Sequence, residues 1–190
     1  DKVQALAGVT NAGNITGTVA ITTAANLAGD GFNNMDGNDI LAISVSGTPS
    51  VADINTIAGR TAGVLTATLV DGTAATADGL TTLSTDVITI NLTDAANTTV
   101  NATLLSSIGG KSAGTVSLVN AATISGSAAE LTAALVTAGT KVDLDDASAL
   151  SMSGTGAHGV VDALAGVTNV GNITGTITST DVDNITALSN

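Results

Sequence analysis

Two hydrophobic periods alternate along this chain. In one kind of segment apolar residues fall three or four apart, as Val51, Ile54 and Ile57 do, and as Leu131 and Leu135 do after Ala128. That spacing predicts short amphipathic helices, each with a small polar residue in front. The segments are residues 50–57 (SVADINTI), 99–108 (TVNATLLSSI), 127–135 (SAAELTAAL), 159–166 (GVVDALAG) and 180–188 (TDVDNITAL). A weaker version is 76–83 (TADGLTTL), and 2–8 (KVQALAG) opens the chain. Ser127 with Glu130, and Ser50 with Asp53, have the spacing of a capping box. Two helical turns cannot stand alone in water, so packing must hold them.

The other kind of segment alternates with period two, is rich in Thr, Val and Ile, and is bounded by Gly, Asn and Asp. Residues 15–21 (ITGTVAI), 40–45 (ILAISV), 64–70 (VLTATLV), 87–92 (VITINL), 115–119 (TVSLV), 141–144 (KVDL) and 173–177 (ITGTI) are predicted strands. Helix, turn, strand, turn therefore recurs about seven times, at intervals of roughly 22 to 31 residues, the mark of a repeat architecture. Strands joined by such crossovers run parallel, with a right-handed connection. The expected fold is α/β: a right-handed solenoid of short helix–parallel strand rungs, one face a sheet and the other a row of helices. An all-β parallel β-solenoid is the alternative, because Ala/Thr/Gly-rich runs bias helix assignments only weakly. Residues 24–37 and 148–158 break the rhythm and are expected to be irregular.

A longer period overlies the short one. Residues 5–18 (ALAGVTNAGNITGT) return as 163–176 (ALAGVTNVGNITGT), 158 residues later, with one substitution, Ala12 to Val170. This predicts a single continuous segment of a tandem array, with one superrepeat over 1–158 and the start of the next at 159–190.

Composition narrows the picture. Hydrophobic residues make up 44% of the chain, yet it has one Phe, no Trp and no Tyr, so Val, Ile, Leu and Ala must fill thin layers. The net charge of −12 argues against nucleic-acid binding and against docking on anionic lipid, and makes divalent cations the natural partners. No apolar stretch is long enough to span a membrane. Cysteine is absent, so there is no thiol chemistry.

Candidate chemistry is sparse. His158, the one imidazole, has Ser151, Ser153 and Asp162 near it in sequence, without the spacing of a nucleophile and base, and reads as a turn residue. Asp30, Asp36 and Asp39 gather three carboxylates and several Asn carbonyls within ten residues, with glycines at the bends, a donor set that suits calcium. The alternative is that these residues only supply turns. Asp143, Asp145 and Asp146 form a second, weaker acidic cluster. Six Asn-x-Ser/Thr sequons occur, at Asn14, Asn91, Asn97, Asn101, Asn172 and Asn184.

Residues 51–83 (VADINTIAGRTAGVLTATLVDGTAATADGLTTL) and 124–135 (ISGSAAELTAAL) resemble segments of very large secreted bacterial repeat proteins, adhesin-like and RTX-associated, of the kind found in cyanobacteria. Gly37 to Leu41 also resembles part of the calcium-binding RTX nonapeptide, although the tandem copies which that repeat needs are missing. The resemblance implies an extracellular or cell-surface location and a structural or adhesive role, with calcium as a possible ligand. The expected function is non-enzymatic: a repeat segment of an extracellular filament, surface layer or giant adhesin, whose partners are adjacent repeats or identical subunits. The alternative is a glycan- or host-surface-binding module of a bacterial or phage fibre. That alternative wants exposed aromatics, and only Phe32 is on offer.

Overall fold

The computed structural model describes residues 15–23, 35 and 37–178. It is a mixed α/β fold with parallel strands in two sheets. In chain order the elements are β1 (Thr16–Thr23), β2 (Ile40–Ser46), α1 (Val51–Ala58), β3 (Leu65–Gly72), α2 (Ala74–Ala77), β4 (Val87–Leu92), β5 (Thr99–Asn101) and α3 (Ala102–Gly109). They continue with β6 (Val116–Leu118), β7 (Thr123–Ser127), α4 (Ala128–Leu135), β8 (Asp143–Leu144), β9 (Ser148–Ala157), α5 (His158–Ala165) and β10 (Val170–Thr178). One sheet has the order β1-β2-β3-β4-β6-β8 and the other β10-β9-β7-β5.

All seven predicted strands are present, four of the predicted helices are in place, and a fifth, α2, overlaps the start of the predicted segment 76–83. The predicted helices at 2–8 and 180–188 lie outside the described residues. The single-sheet expectation is corrected: strands β5, β7 and β9 precede α3, α4 and α5 and build a second sheet with β10. Each of these strands runs straight into its helix, so the segment changes period without a turn to mark it. The stretch at 148–158, expected to be irregular, is mostly β9, the longest strand, which pairs with β7 and β10.

The chain divides into two compact units. The first comprises the described residues up to Asp71 with Gly79–Ile90 and Lys111–Thr115. Here β2 buries Leu41, Ile43 and Val45 on one face and turns Ile40, Ala42 and Ser44 to the other. Isolated helix formation being unfavourable, α1 is held by burial of Ile54 and Ile57 and by its cap. Ser50 Oγ accepts from the Asp53 amide (3.2 Å), and the Asp53 carboxylate accepts from the Ser50 amide (3.0 Å). The expected capping box is therefore built, with Asp in place of the longer Glu. Asn55 ties α1 to the next turn: its amide donates to the Gly79 carbonyl and its oxygen accepts from the Thr81 amide, both at 2.8 Å.

The second unit comprises Gly72–Asp78, Asn91–Gly110 and the described residues from Val116 onward. Its module is strand, helix, strand: β5-α3-β6 and then β7-α4-β8. The helices begin 26 residues apart, at Ala102 and Ala128, and Ser117 of β6 pairs with Asp143 of β8 across the same interval. Leu105 and Ile108 of α3 and Leu131 and Leu135 of α4 are fully buried. Burying each such side chain is worth about 1.5–3 kcal/mol. Ser127 and Glu130 form the second predicted capping box, and the Thr103 hydroxyl of α3 donates to Glu130 Oε1 at 3.1 Å. In the weak segment at 76–83 the helix is a single turn, α2, capped by Thr73 three residues earlier than its predicted start. The cap of α3 is Asn101, not Thr99, because Thr99 and Val100 belong to β5.

Candidate functional site

Of the three carboxylates expected to hold calcium, Asp30 and Asp36 lie outside the described residues. Asp39 is 4% exposed, and its Oδ1 accepts from the Ile15 amide at 2.7 Å. It is the first of four side chains that work alike in the first unit. Each strand there opens by donating an amide to a side chain one rung further on. Ile15 donates to Asp39, Leu41 to the Thr61 hydroxyl (2.9 Å), Leu65 to Asp86 Oδ1 (2.8 Å) and Ile88 to the Ser112 hydroxyl (2.7 Å).

The arrangement occurs twice. Thr61 Oγ1 also accepts from the Gly63 amide and donates back towards the Asp39 and Leu41 carbonyls. Ser112 Oγ does the same with Gly114, Asp86 and Ile88. In both copies the following alanine amide, Ala62 or Ala113, donates to the carbonyl of the aspartate. A Cβ at Gly63 or Gly114 would fall on the Leu41 or Ile88 carbonyl, so only glycine lets the backbones approach this closely. All four side chains thus satisfy backbone amides at the starts of strands. Periodicity did not reveal them; the recurring triplets Thr61-Ala62-Gly63 and Ser112-Ala113-Gly114, three residues past a helix, are the sequence signal.

The other sequence candidates are scattered. His158 is the first residue of α5; its Nε2 is buried without a hydrogen-bond partner, and it does not join Ser151, Ser153 or Asp162 in a hydrogen bond. In the second acidic cluster, Asp143 pairs with Lys141 at 2.5 Å and Asp146 Oδ1 accepts from the Ala147 amide. Among the described residues, no three His, Asp or Glu side chains converge as they would around a metal ion. Of the sequons, Asn14 and Asn184 lie outside the described residues. Asn97 and Asn172 are exposed, Asn91 is half-buried, and Asn101 uses its side chain to cap α3.

One groove lies at a sheet edge. The six-stranded sheet ends at β8, and beside it lies a groove of about 550 Å³ lined by Leu135, Val136, Lys141, Asp143 and Leu144 from the β8 side. Ala163, Gly166, Val167 and Thr168, at the end of α5 and just beyond it, form the other wall. Its lining mixes apolar and polar residues, and its two charged groups neutralise each other.

No family model, no curated protein and no solved structure matches this chain. Among the described residues, no helix is long and apolar enough to cross a membrane.

Proposed function

We propose that this chain is a non-enzymatic structural segment of an extracellular filament, surface layer or giant adhesin, continuing as a right-handed solenoid of helix–strand rungs. The observation that carries the reading is the strand–helix–strand module recurring at a 26-residue step, with one strand in each of two parallel sheets. A module of that kind cannot bury its apolar face alone and is stable through its neighbours. The restarted sequence at residues 163–176 supports the same reading, since it offers the beginning of a further superrepeat. The net charge of −12 suits a surface-exposed, soluble polymer whose copies are kept apart except at their ends. Calcium belongs to this reading as a ligand of the Asp30–Asp39 turn.

Electron microscopy and sedimentation of the full chain, with and without chelator, test it. Elongated particles that join end to end are expected. Compact monomers at every concentration, indifferent to calcium, would sink it.

A further inference from the structure

In the module of the second unit, the strand after each helix enters the six-stranded sheet: β6 after α3 and β8 after α4. After α5 the chain does otherwise. Strand β10 pairs with β9 in the four-stranded sheet, so among the described residues no strand lies beside β8, where the groove is. The backbone there has a vacancy that a side chain fills. Leu92 O accepts the Val119 amide and Leu118 O accepts the Asp145 amide, each at 3.0 Å. Leu144 O comes next in this series of 26-residue steps and accepts instead from the side-chain amide of Asn169, at 2.6 Å. Asn169 thus stands where the backbone amide of a further strand would be.

The sequence indicates which strand fits. Residues 173–176 at the heart of β10 read ITGT, as do residues 15–18, which run from the residue before β1 into its start. In that first copy the strand belongs to the six-stranded sheet, parallel to β2, with Val19 buried. The same strand type is therefore competent for this sheet. Among the described strands β1 ends the order at the other end from β8; it runs for eight residues and contains no charge and no proline. Those are the devices by which sheet edges are ordinarily protected from pairing.

We propose that the β8 edge and its groove, whose lining includes Leu135, Val136, Leu144 and Val167, receive β1 of a second copy of this chain, parallel and head to tail. The incoming strand displaces Asn169 from Leu144 O and supplies the backbone amide itself. An uncharged strand buries no unpaired charge there, because Lys141 and Asp143 already satisfy each other. The contact is heterologous, so it joins copies head to tail, in a ring or an open chain according to the rotation between them. The assignment rests on the repeat-segment reading above and adds which two surfaces meet.

The absence of cysteine makes disulfide trapping clean. Thr18→Cys places a thiol on exposed β1 and Thr168→Cys one on the exposed wall of the groove. The two variants, mixed and oxidised, are expected to cross-link about tenfold more than either alone. Ala163→Arg fills the groove from an exposed helical position, so folding should survive, as circular dichroism will check; self-association measured by sedimentation should weaken about tenfold. Equal cross-linking in mixed and unmixed samples would overturn the proposal. So would association unchanged by Ala163→Arg, which would leave the repeat-segment reading standing with its copies joined elsewhere. A chain that stays monomeric at every concentration removes both.

Discussion

The two units satisfy the amides at the starts of their strands in different ways. In the first, β1, β2, β3 and β4 each open on a side chain from the next rung: Asp39, Thr61, Asp86 and Ser112. In the second, backbone does most of this work. The Asn97 amide donates to Ala121 O, Thr123 to Thr98 O, Ala149 to Ala122 O and Ser148 to Asn169 O. The backbone acceptors of the second unit sit largely in the second sheet, where β5, β7, β9 and β10 pair with one another.

A buried amide must find an acceptor, and without a neighbouring strand that acceptor has to be encoded residue by residue. The side-chain solution therefore fixes identities (Asp, Thr or Ser, Gly). The ladder solution fixes only backbone geometry and leaves sequence free.

The sharpest way to break this comparison is at the close approaches. Gly63→Ala or Gly114→Ala drives a methyl group into a backbone carbonyl and should cost ~3 kcal/mol, read from the midpoint of urea unfolding. Gly139→Ala, in open space in the second unit, should change stability by less than about 0.5 kcal/mol. Equal effects at these sites would remove the distinction.

Next in size is Thr61→Val, which strips the acceptor from the Leu41 and Gly63 amides and should cost about 2 kcal/mol. Thr61→Ser should restore most of the loss, because Ser112 performs the same task with the smaller side chain. Hydrogen exchange at the Leu41 amide is the direct readout.

Smaller effects belong to the helix caps of the second unit. Ser127→Ala should cost about 1 kcal/mol by thermal or urea unfolding.

The smallest is a pH effect. The Glu130 carboxyl is held below its ordinary value of 4.5, first by the hydrogen bond from the Ser127 amide, then by those from the Ser127 and Thr103 hydroxyls. A carboxyl depressed on folding contributes stability above its unfolded value and loses it as pH falls through the folded one. Glu130→Gln should therefore flatten the acid limb below pH 4.5, and carboxyl chemical shifts should show Glu130 titrating lower than normal. A Glu130 that titrates at the ordinary value would show that the box is not closed in solution.

What was legible in the sequence divides along the same line. Strands with strict alternation and β-branched residues, such as 40–45 and 87–92, announced themselves, because one buried face forces period two. Both capping boxes were readable because the spacing of donor and acceptor is local. Strands β5, β7 and β9 were not readable. TVN is too short to show a period, and TISGS and SALSMSGTGA are built from small residues whose place depends on partners roughly 24 to 26 positions away. Asp39 was noticed for the right property, an oxygen ligand at a turn, but what it binds in the structure is the amide of Ile15. The hydroxyl clamps at Thr61 and Ser112 were invisible to hydrophobic patterning, which carries no information about a buried hydroxyl. Their triplet becomes meaningful only once the carbonyl beneath each glycine is known.

The strand partners also set a tempo for synthesis. Thr16 lies opposite Ile40, Ile43 opposite Leu65, Ser117 opposite Asp143 and Ser148 opposite Val170. Each of these pairings closes a loop of similar, modest length, with the partner 22 to 26 residues further along the chain. At about 5–20 residues per second of translation, the partner of each strand emerges within a few seconds of the strand itself. Each rung can then zip onto its predecessor while the next is still being made, and the time an unpaired edge spends exposed is governed by the rung and not by the length of the chain.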